Sequence, residues 1–253
     1  MKKQLYLTID DFPTKASEEM LYFLEEKGIS SVIFCIGKEL VKHEETAVKA
    51  LLMGHKLGNH SYSHKAFSKI SLKEAYREIQ KTDLLLDRIY EKAGVTWDVK
   101  YFRFPYGDKG DGMMGQVLKR GLDPWKRLKK RRIQKRLAEL NYTNIVAPGV
   151  SYNYYQDYLA RERDAQWTLD VMEWCLKKPE GVFEIKTEAD VLARLFSENP
   201  FDCRGKVPEE SYGITFEPSN EVILMHDNEQ TFPAFKTVIN EMLLRGYGFS
   251  KIN

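Results

Sequence analysis

Strand-like and helix-like segments alternate along the first hundred residues of this 253-residue chain. That order predicts an α/β fold built on a parallel sheet or a (β/α) barrel. Two further observations point the same way. The run Leu5-Tyr6-Leu7-Thr8-Ile9 is β-branched and aromatic enough to be a buried strand, and Ser31–Ile36 reads alike. The residues that could carry chemistry, Asp10, Asp11, His60, Arg103, Asp170 and His226, fall at the C-terminal ends of strand-like runs. In barrels that face holds the reactive groups, so the pattern favours an enzyme over a binding module.

Each element has its own local signal. After Asp10-Asp11, Ser17 is expected to cap a helix with apolar positions Met20, Leu21, Phe23 and Leu24 and a stop at Gly28. A second strand over 31–36 leads to a helix over 39–53 that ends at Gly54. Lys56–Asn59 is a short strand running into His60. Ser71 and Glu74 form a capping-box pattern for a long helix carrying Ala75, Ile79, Leu85 and Ile89. Val99–Phe102 is the next strand. Later strands are expected over 144–150, 166–171 and 221–225, and helices over 188–197 and 233–245. Residues 126–136 hold eight cations in eleven positions, with Leu128, Ile133, Leu137 and Leu140 at roughly helical spacing. They predict an amphipathic surface helix. Its cationic side is either a solvated face or a dock for a phosphate-bearing substrate or an anionic membrane surface.

Composition sets the bounds. With 43% hydrophobic residues the chain can bury a full core, and one domain over 1–253 is expected, with a basic, Tyr-rich insertion at about 108–164. The formal charge of +2 leaves no global nucleic-acid footprint. Cys35, Cys175 and Cys203 show no paired spacing and no disulfide framework, and Cys35 reads as a core residue. No run reaches the roughly 18 apolar residues of a membrane span. The first strand begins so early that no signal peptide fits before it, so a cytoplasmic protein is expected. A mature chain freed of its export signal would read the same way.

Two adjacent carboxylates at the end of a buried strand are costly unless something cationic sits beside them. His60 and His64 could supply it by helping to hold a divalent metal, both imidazoles facing one way if 60–64 forms a helical turn. Taken alone, each pair is a weak signal, since paired acids cap helices and surface helices produce His-x-x-x-His by chance.

Both pairs belong to a longer series of motifs. Thr8-Ile9-Asp10-Asp11, His60-Ser61-Tyr62-Ser63-His64, Arg103-Phe104-Pro105-Tyr106, Asp170-Val171-Met172-Glu173-Trp174 and Leu224-Met225-His226 occur in this order along the chain. In that order the five segments resemble the motifs of the polysaccharide deacetylases, the carbohydrate esterases that share the NodB-type homology domain (family 4). In the fourth, Glu173 stands where the family often has Asp. The resemblance implies a distorted (β/α) barrel and metal-dependent N-deacetylation of an amino sugar. It assigns Asp11, His60 and His64 to one divalent ion, which suits zinc, with cobalt, nickel or iron as alternatives. Asp10 would be the general base, with Arg103 as its cationic partner, and the Tyr106 N–H would help hold the oxyanion. His226 would be the general acid, oriented by Asp170, and Trp174 and Leu224 would wall the pocket for the acetyl methyl.

Each of these has a structural alternative. His226 could be a core histidine, Arg103 and Asp170 a stabilising ion pair, and Trp174 a packing residue. His43 and His55 match no motif. Where the family commonly has Gly after the paired acids, this chain has Phe12, whose ring is expected beside the sugar cleft. Tyr152, Tyr154 and Tyr155 could stack on sugar rings or close the barrel wall. The expected substrate is an N-acetylated saccharide, as a nucleotide- or lipid-diphosphate-linked precursor or a growing glycan. The competing readings are a deformylase or amidase on a small amide, and a glycan-binding relic without turnover.

Overall fold

The computed structural model describes residues 3–112, 123–159, 161–178, 180, 182–201 and 211–252. Parts of the expected insertion (113–122 and 160) and Cys203 lie outside them. Strand β1 (Gln4–Phe12) is central and pairs in parallel with β2 (Val32–Cys35) on one side and β7 (Glu221–His226) on the other. β2 continues to β3 (Lys56–Asn59), and β7 to β6 (Leu169–Asp170). A bridge from Asn59 to Phe102 joins β3 to the pair β4 (Lys100–Tyr101) and β5 (Tyr142–Thr143). The late strand β8 (Gly248–Phe249) pairs with the start of β1. Every one of these strand pairings is parallel, and the curved order β6-β7-β1-β2-β3-β4-β5 is a distorted (β/α) barrel.

Period-2 alternation divides each strand between two cores. Tyr6, Val32, Phe34, Tyr101, Val222 and Leu224 fill the barrel interior. Leu5, Leu7, Ile9, Ile33, Ile223 and Met225 face outward. The helices that cover them are α1 (Ser17–Glu26), α2 (Gly37–Leu40), α3 (Glu44–Leu52), α4 (Leu72–Ala93), α6 (Glu188–Leu195) and α7 (Phe232–Leu244), while α5 (Pro124–Glu139) packs on α4. The long α4 starts as its sequence predicts. Ser71 Oγ accepts the Glu74 N–H at 3.1 Å, and Gly94 closes the other end in the left-handed region (φ 66°).

Several elements differ from expectation for local reasons. Ser17 does not cap α1; its hydroxyl accepts the Thr14 N–H at 2.7 Å and donates to Asp227. The helix expected over 39–53 breaks into α2 and α3, because His43 leaves helical backbone angles (φ −130°, ψ 41°). No strand forms over the expected 144–150; β5 ends just before it, at Thr143. Beyond it, the Asn144 side chain accepts the N–H groups of Ile145 and Gln166, at 2.8 and 3.1 Å, where a strand partner would. Tyr152, Tyr154 and Tyr155 are buried in the barrel interior, so they close the wall and do not face a sugar. Cys35 and Cys175 are buried free thiols. His55 is a packing histidine held against the Ser31 hydroxyl at 2.9 Å. The two ends of the segment expected as an insertion are tied to each other and to Ser68. Asp108 accepts the Ser68 N–H at 3.1 Å, and buried Lys109 pairs with Glu162 and, at 3.1 Å, with Asp164.

The end of the barrel away from the reactive strand ends is plugged by a buried ion pair. Lys3 Nζ lies 2.9 Å from Glu221 Oε1 and also donates to the carbonyls of Gly213 and Phe216. Removing one partner of such a pair strands the other charge in the core. We therefore expect Lys3→Met to destabilise the chain by about 3–5 kcal/mol in urea unfolding. A loss below about 1 kcal/mol would show that Glu221 is not held by this contact.

Candidate active site

In a regular strand, Asp10 and Asp11 would point to opposite faces of the sheet. Here β1 carries an extra residue against β2: Ile9 pairs with Ile33 but Phe12 pairs with Cys35, and Asp11 takes φ 69°. A bulge of this kind re-aims a side chain, and Asp is one of the residues that tolerates left-handed backbone. The result is that both carboxylates reach one rim, where His60 Nε2 lies between them, 3.6 Å from Asp10 Oδ2, and their remaining partners differ. Asp10 is buried, and its Oδ1 accepts from Arg103 Nη1 at 2.9 Å. Arg103 is itself fully buried: Nη1 also donates to Thr8 Oγ1 at 2.8 Å, Nε to the Ala165 carbonyl at 3.2 Å, and its guanidinium lies over the Phe34 ring at 4.2 Å.

Asp11 faces the imidazoles. Its Oδ1 lies 3.1 Å from His64 Nε2 and 3.7 Å from His60 Nε2. Burial would raise its carboxyl pKa, but the His64 contact and the nearby charges of His226, His64 and His60 hold it well below the usual carboxylate range. His60 Nδ1 contacts the Arg103 carbonyl at 2.8 Å, where it can only donate, which turns a bare Nε2 toward Asp10 and Asp11. Burial lowers the His60 pKa to about 4, so the ring is neutral at neutral pH and its lone pair is free to ligate.

The backbone that presents these histidines is a loop and not the helical turn expected. Ser61 and His64 have φ of 63° and 57°. Glu78 of α4 holds the loop from below, accepting from Ser63 N and Oγ at 2.7 and 2.8 Å, and the Ser61 carbonyl accepts the Gly37 N–H at 2.9 Å. Gly37 is needed there, since a Cβ would sit 2.3 Å from Thr82 Oγ1 and 2.8 Å from the Tyr62 ring. The imidazoles still converge, with ring centroids 4.9 Å apart.

Asp11, His60 and His64 offer one ligand atom each, all within 4.8 Å of one another. Asp11 Oδ1 is a buried oxygen with no well-formed hydrogen bond, aimed at two imidazole nitrogens. This donor set fits a divalent cation.

The opposite side of the rim is built from β6 and β7. His226 stands beside Asp10 in the β1–β7 register. Its Nδ1 lies 3.0 Å from Glu173 Oε1, which also accepts the His226 backbone N–H at 2.6 Å. Burial opposes protonation, but the Glu173 hydrogen bond and the charges of Glu173, Asp11 and Asp170 push the imidazole up to about 9. Glu173 thus holds His226 Nδ1, reaching it from the turn after β6. Asp170 accepts from Met172 N at 2.8 Å and Trp174 Nε1 at 3.2 Å, and its charge also favours the protonated imidazole.

The remaining expected residues divide. Tyr106 sits in a left-handed turn (φ 59°) with its ring 4.7 Å from that of His64, and its N–H has no acceptor among the described residues. Leu224 lies on the interior face of β7 two residues before His226, whereas Trp174 is half-buried against the outer core and packs edge-on to Phe183. Phe12 is not beside the cleft: it is fully buried among the helix-facing residues, because the bulge at Asp11 returns the chain to the outer face. One residue had no signal in the sequence. Lys177, at the end of the turn that carries Glu173, places Nζ 3.6 Å from Asp11 Oδ2.

Comparisons with known proteins bear on the family and the fold. The family model for polysaccharide deacetylases matches residues 1–125. The peptidoglycan-N-acetylmuramic acid deacetylase PdaC of Bacillus subtilis is 30% identical over 119 residues, 46% of this chain and 24% of that protein. Chitin deacetylase 1 of Cryptococcus neoformans is 29% identical over 118 residues, 47% of this chain and 24% of that protein. The chain thus spans about a quarter of the length of these two curated relatives. Solved structures share the fold over the whole chain. PdaC superposes with a TM-score of 0.58 at 19% identity, covering 99% of this chain and 88% of that one. A CE4 family pseudoenzyme from Bacillus anthracis gives 0.57 at 19%, covering 99% and 64%. Residues 1–125 thus match the polysaccharide deacetylase family model, and the whole chain shares the fold of these solved deacetylase structures.

Proposed function

We propose that this protein is a metal-dependent carbohydrate N-deacetylase that hydrolyses the acetamide of an amino sugar to the free amine and acetate. One observation carries the reading. A base-type carboxylate (Asp10), a metal-type triad (Asp11, His60, His64) and a histidine held protonated by a carboxylate (His226 with Glu173) share a single rim. A pseudoenzyme on the same fold shows that the fold alone does not carry turnover, so the reading rests on these residues. A glycan-binding relic would have no need of a base and an acid aimed at one place.

A divalent ion on Asp11, His60 and His64, with zinc the first choice and cobalt, nickel or iron alternatives, would polarise the acetamide carbonyl and acidify water. Asp10, fixed by Arg103, accepts the proton of the attacking water. The Tyr106 N–H donates to the carbonyl oxygen as negative charge develops there. His226 Nε2 delivers a proton to the departing nitrogen, while Glu173 keeps Nδ1 protonated and the ring in place. Trp174 and Leu224 are proposed as apolar contacts for the acetyl group.

Relatives named for N-acetylmuramic acid and chitin motivate an N-acetylated amino sugar as the substrate class. A nucleotide- or lipid-diphosphate-linked saccharide and a polymeric glycan are separated by measuring acetate release from each.

Purified protein should hold about one divalent ion per chain, lost on chelation and in His60→Ala. Asp10→Asn should lower kcat by about 10²–10⁴-fold; retained turnover would remove Asp10 as the base. His226→Ala should slow acetamide substrates far more than activated acetyl esters, whose leaving groups need no proton, and equal losses on both would contradict its role as acid. The pH dependence has a fixed sign. The folded pKa of His226 is raised, so its acid form is complete at neutral pH and activity falls as pH rises through about 9. Glu173→Gln removes the contact that holds the proton, so this alkaline limb should move to lower pH; an unmoved limb would show that Glu173 does not tune the acid.

A further inference from the structure

We propose that the exposed face of α5 is a docking surface for an anionic phospholipid bilayer. α5 buries Ile133 and Leu137, which places Trp125, Leu128, Arg131, Arg132 and Lys135 together on the opposite side of the helix, at the helical spacings of 3 and 4. Trp125 is 78% exposed and Leu128 39% exposed, although both lie in the most cationic stretch of the chain. Six of the eight cations of α5 fall into two groups. Lys129 donates to the carbonyls of Phe67 and Ile70, Lys130 pairs with Glu162 and Asp111, and Arg136 pairs with Glu139. The Lys129 and Lys130 contacts fasten the helix to neighbouring segments, and the Arg136 pair lies within the helix. Arg131, Arg132 and Lys135 make no ion pair among the described residues.

The second group is the one that shares its face with the two apolar side chains. A solvated helix face needs cations but has no use for an exposed Trp and Leu among them. A soluble polyanion would match the charge and leave Leu128 without a role. A bilayer surface uses both, since indole and leucine enter the headgroup boundary while Arg and Lys meet anionic lipid phosphates. Lys129 anchors the inner side of α5 to the carbonyls of Phe67 and Ile70, three and six residues beyond His64, which leaves the opposite face of the helix outward. The docking itself does not depend on the hydrolytic reading.

The test is co-sedimentation of the full chain with vesicles of phosphatidylcholine alone and of phosphatidylcholine mixed with phosphatidylglycerol, at low and high salt. Binding to the anionic vesicles only, weakened by salt, is expected. The triple variant R131A/R132A/K135A should lose about 100-fold in partitioning, at about one Coulombic contact per cation, with an unchanged circular dichroism spectrum. The emission of Trp125, isolated by difference against W125F, should shift to the blue on anionic vesicles. Equal binding to both vesicle types, no binding to the anionic ones, undiminished binding by the triple variant, or retention on heparin without any vesicle binding would each overturn the proposal.

Discussion

The bulge at Asp11 is the constraint on which the site depends. Two adjacent carboxylates at the end of a buried strand repel each other and share the cost of leaving water. The extra residue in β1 separates their surroundings without separating the residues. Asp10 keeps the interior direction of Tyr6 and Thr8 and meets Arg103, whereas Asp11 is turned toward His60 and His64. The two carboxylates share His60, but Arg103 is at hydrogen-bond distance from Asp10 and His64 from Asp11, and neighbours in sequence become different in chemistry.

Everything around the bulge serves to keep that division. Arg103 reaches Asp10 only because the bridge from Asn59 to Phe102 sets β4 against β3, and the Arg103 carbonyl in turn fixes the His60 ring. One residue thus pins a proposed base through its side chain and a proposed metal ligand through its backbone. On the other side, the β1–β7 register sets His226 level with Asp10, and Glu173 grips both the ring and the backbone of His226. The barrel contributes position, and the charges sit where strand ends converge.

Much of this was legible in the sequence, for physical reasons. Buried parallel strands are continuous apolar runs, so β1, β2 and β7 stand out, and Ser71 with Glu74 marks the start of α4 by capping rules alone. The elements that escaped are those fixed by tertiary contact. β5 and β8 are two-residue pairings with no periodicity to detect, and the strand expected after Tyr142 is replaced by side-chain bonds from Asn144. The site residues were legible as a set but not in all their partnerships. Phe12 follows the acids in sequence, yet the bulge sends its ring to the opposite face. Glu173 and Lys177 approach His226 and Asp11 through a turn that no spacing rule marks.

The division of the two carboxylates is tested most directly by calorimetric titration of zinc into Asp10→Asn and Asp11→Asn side by side. Asp11→Asn should weaken zinc binding by about 100-fold or more, whereas Asp10→Asn should cost about tenfold or less. Equal losses in the two variants, or a greater loss in Asp10→Asn, would contradict this division.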